Sequence, residues 1–216
     1  MGAIARNAAN NITTAGVFTA DAITNASVTG ITVLANASDG ITFISSQTAS
    51  NSASISFTSG LTSTYKAYKF VFSNMKPATD NDDFQFNLST DGGSNYNVNK
   101  TTTAFWSYHK EDDTDTVLGY RTSEDLGNSS AYQWLNNDTG NASDESLSGS
   151  MILFNPSQTS YVKNFIANTN SYNAGDYSTN MYINGHGNTA SAINAISFKF
   201  AGGNISAGTI ALYGIK

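Results

Sequence analysis

From Gly40 to the C-terminus, apolar and polar residues alternate with a period of two in one short run after another. Ile41 and Phe43, Ile55 and Phe57, Phe84, Phe86 and Leu88, Met181 and Ile183, and Ile196, Phe198 and Phe200 all follow it. Within Tyr65–Phe72, Tyr68, Phe70 and Phe72 fall on one face, Lys69 and Val71 on the other. Successive side chains of a strand point to opposite faces, so the pattern marks strands with one face in a core. Ala104–Tyr108, Tyr161–Ile166 and Thr209–Ile215 read as further strands, and Met151–Phe154 as a short buried one. About nine or ten strands are predicted, with Phe57, Phe70, Phe72, Phe86, Phe198 and Leu212 in the core.

Composition closes the helical alternative. The 216 residues include 26 Asn, 28 Ser and 25 Thr, more than a third of the chain, against only three Glu. Asn, Ser and Thr side chains compete with helical hydrogen bonds. Turn chemistry separates the apolar runs: Asp91-Gly92-Gly93, Asn184-Gly-His-Gly-Asn188 and Gly202-Gly203-Asn204 read as turns, and Pro77 and Pro156 as strand ends. The polar stretches Lys110–Thr116 and Asn136–Ser150 read as surface loops. The predicted architecture is all-β: an antiparallel β-sandwich, jelly-roll-like, over residues 39–216.

Residues 1–38 differ. Their only aromatic is Phe18, and their only charged residues are Arg6 and Asp21. Asn25–Thr32 and Asn36–Thr42 resemble each other, but two copies are too few for a solenoid. The resemblance is either coincidence in a biased composition or the mark of an extended arm that pairs with a neighbouring chain. Ile4, Ile12, Val17, Ile23, Val28, Ile31, Val33 and Leu34 are spaced among Thr and Asn. Such a segment cannot form its own core, so 1–38 is read as an attachment arm.

Several function classes fall away. The chain has no cysteine, hence no disulfide, thiolate metal site or cysteine nucleophile. A net charge of −6 argues against broad nucleic-acid binding. No apolar run approaches the ~20 residues of a membrane helix. Met1–Asn10 lacks the pattern of a classical signal peptide, and Arg6 stands where a myristoylation signal places Ser or Thr. No partner among nucleic acids or membranes is expected.

The candidates for chemistry are few. His109 precedes an acidic run, Glu111–Asp115, while His186 sits between glycines 77 positions later; neither has a partner at metal-ligand spacing. The acids Asp80, Asp82 and Asp83 offer oxygen ligands for calcium but lack the glycine and distal Glu of a calcium loop, so they read as an ordinary solvated acidic turn. Glu124, Asp125, Asp144 and Glu145 do not form a recognisable acid pair. No nucleophile elbow or phosphate-binding loop is present. No catalytic, cofactor-binding or metal-binding residue is assigned, and no enzymatic activity or cofactor is expected. For sugar stacking the candidates are Trp106, Tyr108, Tyr132 and Trp134, with Trp106 leaning toward the core.

A resemblance adds to this. Four stretches carry it: Phe18-Thr-Ala-Asp-Ala-Ile-Thr-Asn-Ala-Ser27; Ser54-Ile-Ser-Phe-Thr-Ser-Gly60 with Tyr65–Phe72; Phe86-Asn-Leu-Ser-Thr-Asp-Gly-Gly-Ser-Asn-Tyr96; and Gly203–Lys216, ending in Leu-Tyr-Gly-Ile-Lys. Over most of residues 15–216 the chain resembles a family of small, tail-fibre-like surface virion proteins of marine tailed bacteriophages, including phages of cyanobacteria. The resemblance implies a structural virion protein, displayed as a fibre, appendage or capsid decoration and contacting other virion proteins. It also implies sister subunits, with a trimer as the expected oligomer. The alternative is a host-glycan-binding module for receptor attachment.

Overall fold

The structure, a computed structural model, describes residues 40–216. The arm over 1–38 therefore lies outside the described residues. Twelve strands follow in order: β1 Ile41–Thr48, β2 Ile55–Phe57, β3 Ala67–Pro77, β4 Asp82–Ser89, β5 Lys100–Lys110, β6 Thr116–Tyr120, β7 Gln133–Thr139, β8 Leu147–Phe154, β9 Lys163–Asn173, β10 Tyr177–Gly187, β11 Ala195–Phe200 and β12 Ile205–Ile215. All pairings are antiparallel.

Two layers result. One runs β1-β12-β3-β8 and continues through β9, β10 and β5 to β6; the other runs β2-β11-β4-β7. Without β5–β6 and β9–β10, the remaining eight strands cross between the layers at every step but one, from β4 to its neighbour β7, which is the jelly-roll winding. The two hairpins are insertions that widen the first layer into an eight-stranded sheet. A single pair, Thr139 of β7 with Asn173 of β9, joins the layers at one corner.

The core fills the space between the layers, and every predicted core residue lies in it. Its centre is Phe198 on β11, whose ring lies 5.2–6.4 Å from those of Phe57, Phe70, Phe72, Phe84 and Phe86. These rings come from both layers, so one aromatic cluster holds the sandwich together. Tyr68, Phe70 and Phe72 are buried while Lys69 and Val71 are half-buried, as the alternation of β3 requires.

Four readings need correction. Twelve strands replace the predicted nine or ten, since β6 and β7 had no aromatic alternation to mark them. Asn136–Ser150 is not one surface loop: it spans the end of β7 and the first half of β8. Asn136 is buried because its Nδ2 donates to Thr169 Oγ1 at 3.1 Å, part of a polar seam between the layers. Asn184–Gly187 is strand, not turn, and His186 pairs across to Thr101 and Asn164. The two glycines there admit close packing: a Cβ on Gly185 would lie 2.4 Å from the Thr101 carbonyl oxygen. Finally, the Asp80–Asp83 acids are not simply solvated, since Asp82 is buried and its Oδ1 accepts from the N–H groups of Asp83 and Gly202, both at 2.8 Å.

Candidate functional site

The inserted hairpins build a small cavity beside the open edge strand of the second layer. Trp106 and Tyr108 are alternate residues of β5 and therefore share a face. Their neighbours on β10 are Met181 and Thr179, with Tyr177 one step further. Asn173 ends β9, and Asp138 reaches in from β7. Trp106, Tyr108, Asp138, Asn173, Tyr177 and Thr179 enclose about 230 Å³.

The aromatic wall is fixed by contacts among its own members. Tyr108 stands edge-on to Trp106 at 4.8 Å and 77°, and to Tyr177 at 5.1 Å and 82°. Asp115, from the β5–β6 turn, accepts a hydrogen bond from the Tyr108 hydroxyl at 3.2 Å and a longer one from Tyr177 at 3.5 Å. The Arg121 guanidinium lies 3.8 Å from the centre of the Trp106 ring. It is held there by a two-pronged bond to the buried Glu124. A planar cation that is fixed at both ends keeps the indole from changing rotamer.

The polar wall has a different cause. Asp138 adopts φ of 53°, a left-handed conformation that Asp tolerates better than most residues. Its N–H donates to Asp83 Oδ1 at 3.2 Å, and its Oδ2 accepts from Asn137 Nδ2 at 2.8 Å. Burial raises the Asp138 pKa, with Arg121 opposing the shift. Burial likewise raises Asp83, to about 6, aided by the nearby carboxylates of Asp138, Asp82 and Glu124. Two carboxylates, Glu124 and Asp138, thus share one guanidinium, with Asp83 close behind them. On the strands that carry Asn173 and Asp138, buried Ser171 Oγ and Asn137 Oδ1 have no hydrogen-bond partner among the described residues.

The structure divides the four aromatic candidates. Trp106, which leaned toward the core, is half-buried: it packs against the core and also walls the cavity. Tyr108 joins it. Tyr132 is elsewhere, under the Lys199 ammonium at 4.6 Å, and Trp134 is half-buried on β7, pairing with Gln85. His109 is exposed on β5 and contacts Asp113 at 2.9 Å. Among the described residues no group of three or more His, Asp or Glu is placed to hold a metal ion. Asp138, Asn173, Tyr177 and Thr179 escaped the sequence reading. The available signal was Tyr172-Asn-Ala-Gly-Asp-Tyr177, a turn between two tyrosines; nothing local marks Asp138.

No protein-family model, curated protein or solved structure matches this chain.

Proposed function

We propose that this protein is a structural component of a tailed-phage virion, displayed on the particle surface, and that its jelly roll presents a saccharide-recognition pocket. The cavity walled by Trp106, Tyr108 and Tyr177 supports the recognition role. Rigid rings offer apolar faces and edges to the C–H groups of a pyranose, while Asp138, Asn173 and Thr179 offer hydrogen bonds to its hydroxyls. The surplus of carboxylate over guanidinium favours a neutral or amino sugar over an acidic one. The display role rests on the resemblance noted above, with residues 1–38 as the anchor.

Glycan cleavage is the weaker reading. It needs two acids flanking the scissile bond about 5–9.5 Å apart, and among the described residues Asp138 is the one carboxylate that lines the cavity.

The recognition role is tested by calorimetry of the purified full chain against neutral, amino and acidic mono- and oligosaccharides. Binding of a neutral or amino sugar, weakened at least tenfold by Trp106→Ala and by Asp138→Asn, is expected. Binding that Trp106→Ala leaves intact overturns it, as does no binding across the panel. For display, mass spectrometry of purified particles is expected to find the chain, and deletion of 1–38 to remove it. Absence from intact particles overturns the display role.

A further inference from the structure

The eight-stranded sheet has a second face, turned away from the core. On β8, β9, β10, β5 and β6 the pairing registers align its side chains in rows. One row runs Tyr120, Phe105, Tyr182, Asn168 and Ser150; the next runs Thr103, Asn184, Ile166 and Ile152. The alternating residues between them are buried, which confirms that these rows face outward.

Two properties set this face apart. The outward positions of Ser148–Phe154, Asn164–Tyr172, Ser178–His186, Thr101–Ser107 and Leu118–Tyr120 hold no Asp, Glu, Lys or Arg. Surfaces facing water normally carry about a quarter to a third charged residues. Large apolar side chains stand out instead: Leu118 is 82 % exposed and Tyr182 50 %, with Phe105, Tyr120 and Ile166 also exposed. Its central amides, Asn168, Asn170 and Asn180, are already spent on the sheet itself. Asn168 Nδ2 donates to Asn180 Oδ1 at 3.0 Å and to the Met181 carbonyl at 3.1 Å, and Asn180 Nδ2 to the Thr169 carbonyl at 3.1 Å. Covering groups that are already paired costs little desolvation.

We infer that this face is the contact between two copies of the chain, packed sheet on sheet about a two-fold axis. Three observations select a second copy as occupant. The first is area. Five strands ~4.8 Å apart with alternate side chains ~6.8 Å apart span on the order of 600 Å² in projection. With side-chain relief this approaches the ~800 Å² that one partner contributes to a standard interface. The second is charge. At a net charge of −6 two copies repel, except where a neutral face meets itself. The third is shape. Ser150, Ile152, Ile166, Asn168, Tyr182 and Asn184 line a hollow of about 180 Å³ together with Ala167. The Leu118–Tyr120 ridge stands on β6, with β5 between it and β10. An axis between ridge and hollow places each copy's ridge in the other's hollow, the self-complementary geometry that a two-fold requires. The saccharide pocket lies on the opposite face, so this inference stands apart from the function proposed above.

The test is the mass of the full chain in solution, by light scattering and sedimentation at tens of micromolar, for wild type, Leu118→Asp and Asn184→Lys. Both sites are solvent-facing, and an unchanged melting temperature or circular dichroism spectrum confirms folding. A wild-type dimer that either substitution converts to monomer supports the inference. A monomeric wild type overturns it. So does a mass that neither substitution changes, as with assembly through residues 1–38, and so does a wild-type trimer.

Discussion

The Nζ of Lys100 donates to the side-chain oxygen of Asn87 at 2.5 Å, and both residues are fully buried. The other acceptor of the amine is the Val98 carbonyl at 2.9 Å. An amine with neutral acceptors alone is poorly compensated for lost hydration, and burial lowers its pKa from 10.5 to about 7. The unfolded chain then holds the proton more tightly than the fold does. The stability contributed is fully present above pH 10.5 and is lost as pH falls through about 7.

Lys100→Met tests this. At pH 9 the variant leaves the Val98 carbonyl without its partner and is expected to be less stable by about 1–3 kcal/mol. At pH 6 the wild type must bury a charge, so the gap narrows or reverses. Urea unfolding at both pH values measures it, and a pH-independent gap counts against titration of the amine.

Asp83 works in the opposite sense. Its pKa rises from 3.8 to about 6 in the fold, so its contribution is full below pH 3.8 and lost as pH rises through about 6. Asp83→Asn keeps an oxygen for the Asp138 N–H. It is expected to match wild type at pH 3.5 and to exceed it at pH 8 by about 1 kcal/mol, allowing for partial exposure. Thermal unfolding across that range shows whether the wild type alone loses stability between pH 4 and 6.

Phe198→Ala removes the ring shared by both layers. A loss of about 3–5 kcal/mol is expected, whereas Tyr161→Ala, at an exposed position, is expected to change stability by less than about 0.5 kcal/mol. Equal losses in denaturant unfolding contradict the placement of the core.

Gly149 lets β8 approach β9. A Cβ there would lie 2.3 Å from the Asn168 carbonyl oxygen and 2.7 Å from the Thr169 Cα, both backbone atoms. Gly149→Ala is expected to cost about 1–3 kcal/mol and to raise hydrogen exchange in β8 and β9. Gly127→Ala, with open space around its Cβ, serves as the neutral control.

Strand identity and the inward face were legible locally, because alternation is a property of neighbouring residues. Phe57, Phe70, Phe72, Phe86, Phe198 and Leu212 announced their burial by a period of two and lie in the core. A strand without apolar alternation, such as β7, did not announce itself, since Asn136 and Thr139 are buried by hydrogen bonds to residues far along the chain or across a bulge. The candidate site was half legible. Trp106 and Tyr108 are two residues apart and share a face by strand geometry alone. Their meeting with Tyr177 and Asp138 depends on two inserted hairpins folding beside β7. Sequence by itself determined that this protein is all-β, which side of most strands is apolar, and where several turns fall, because those follow from side-chain chemistry within a few residues. Tertiary structure alone decided the order of the strands, the cavity at the corner of the two layers and the uncharged outer face. These depend on which distant strands pair, and pairing is set by packing summed over the whole core.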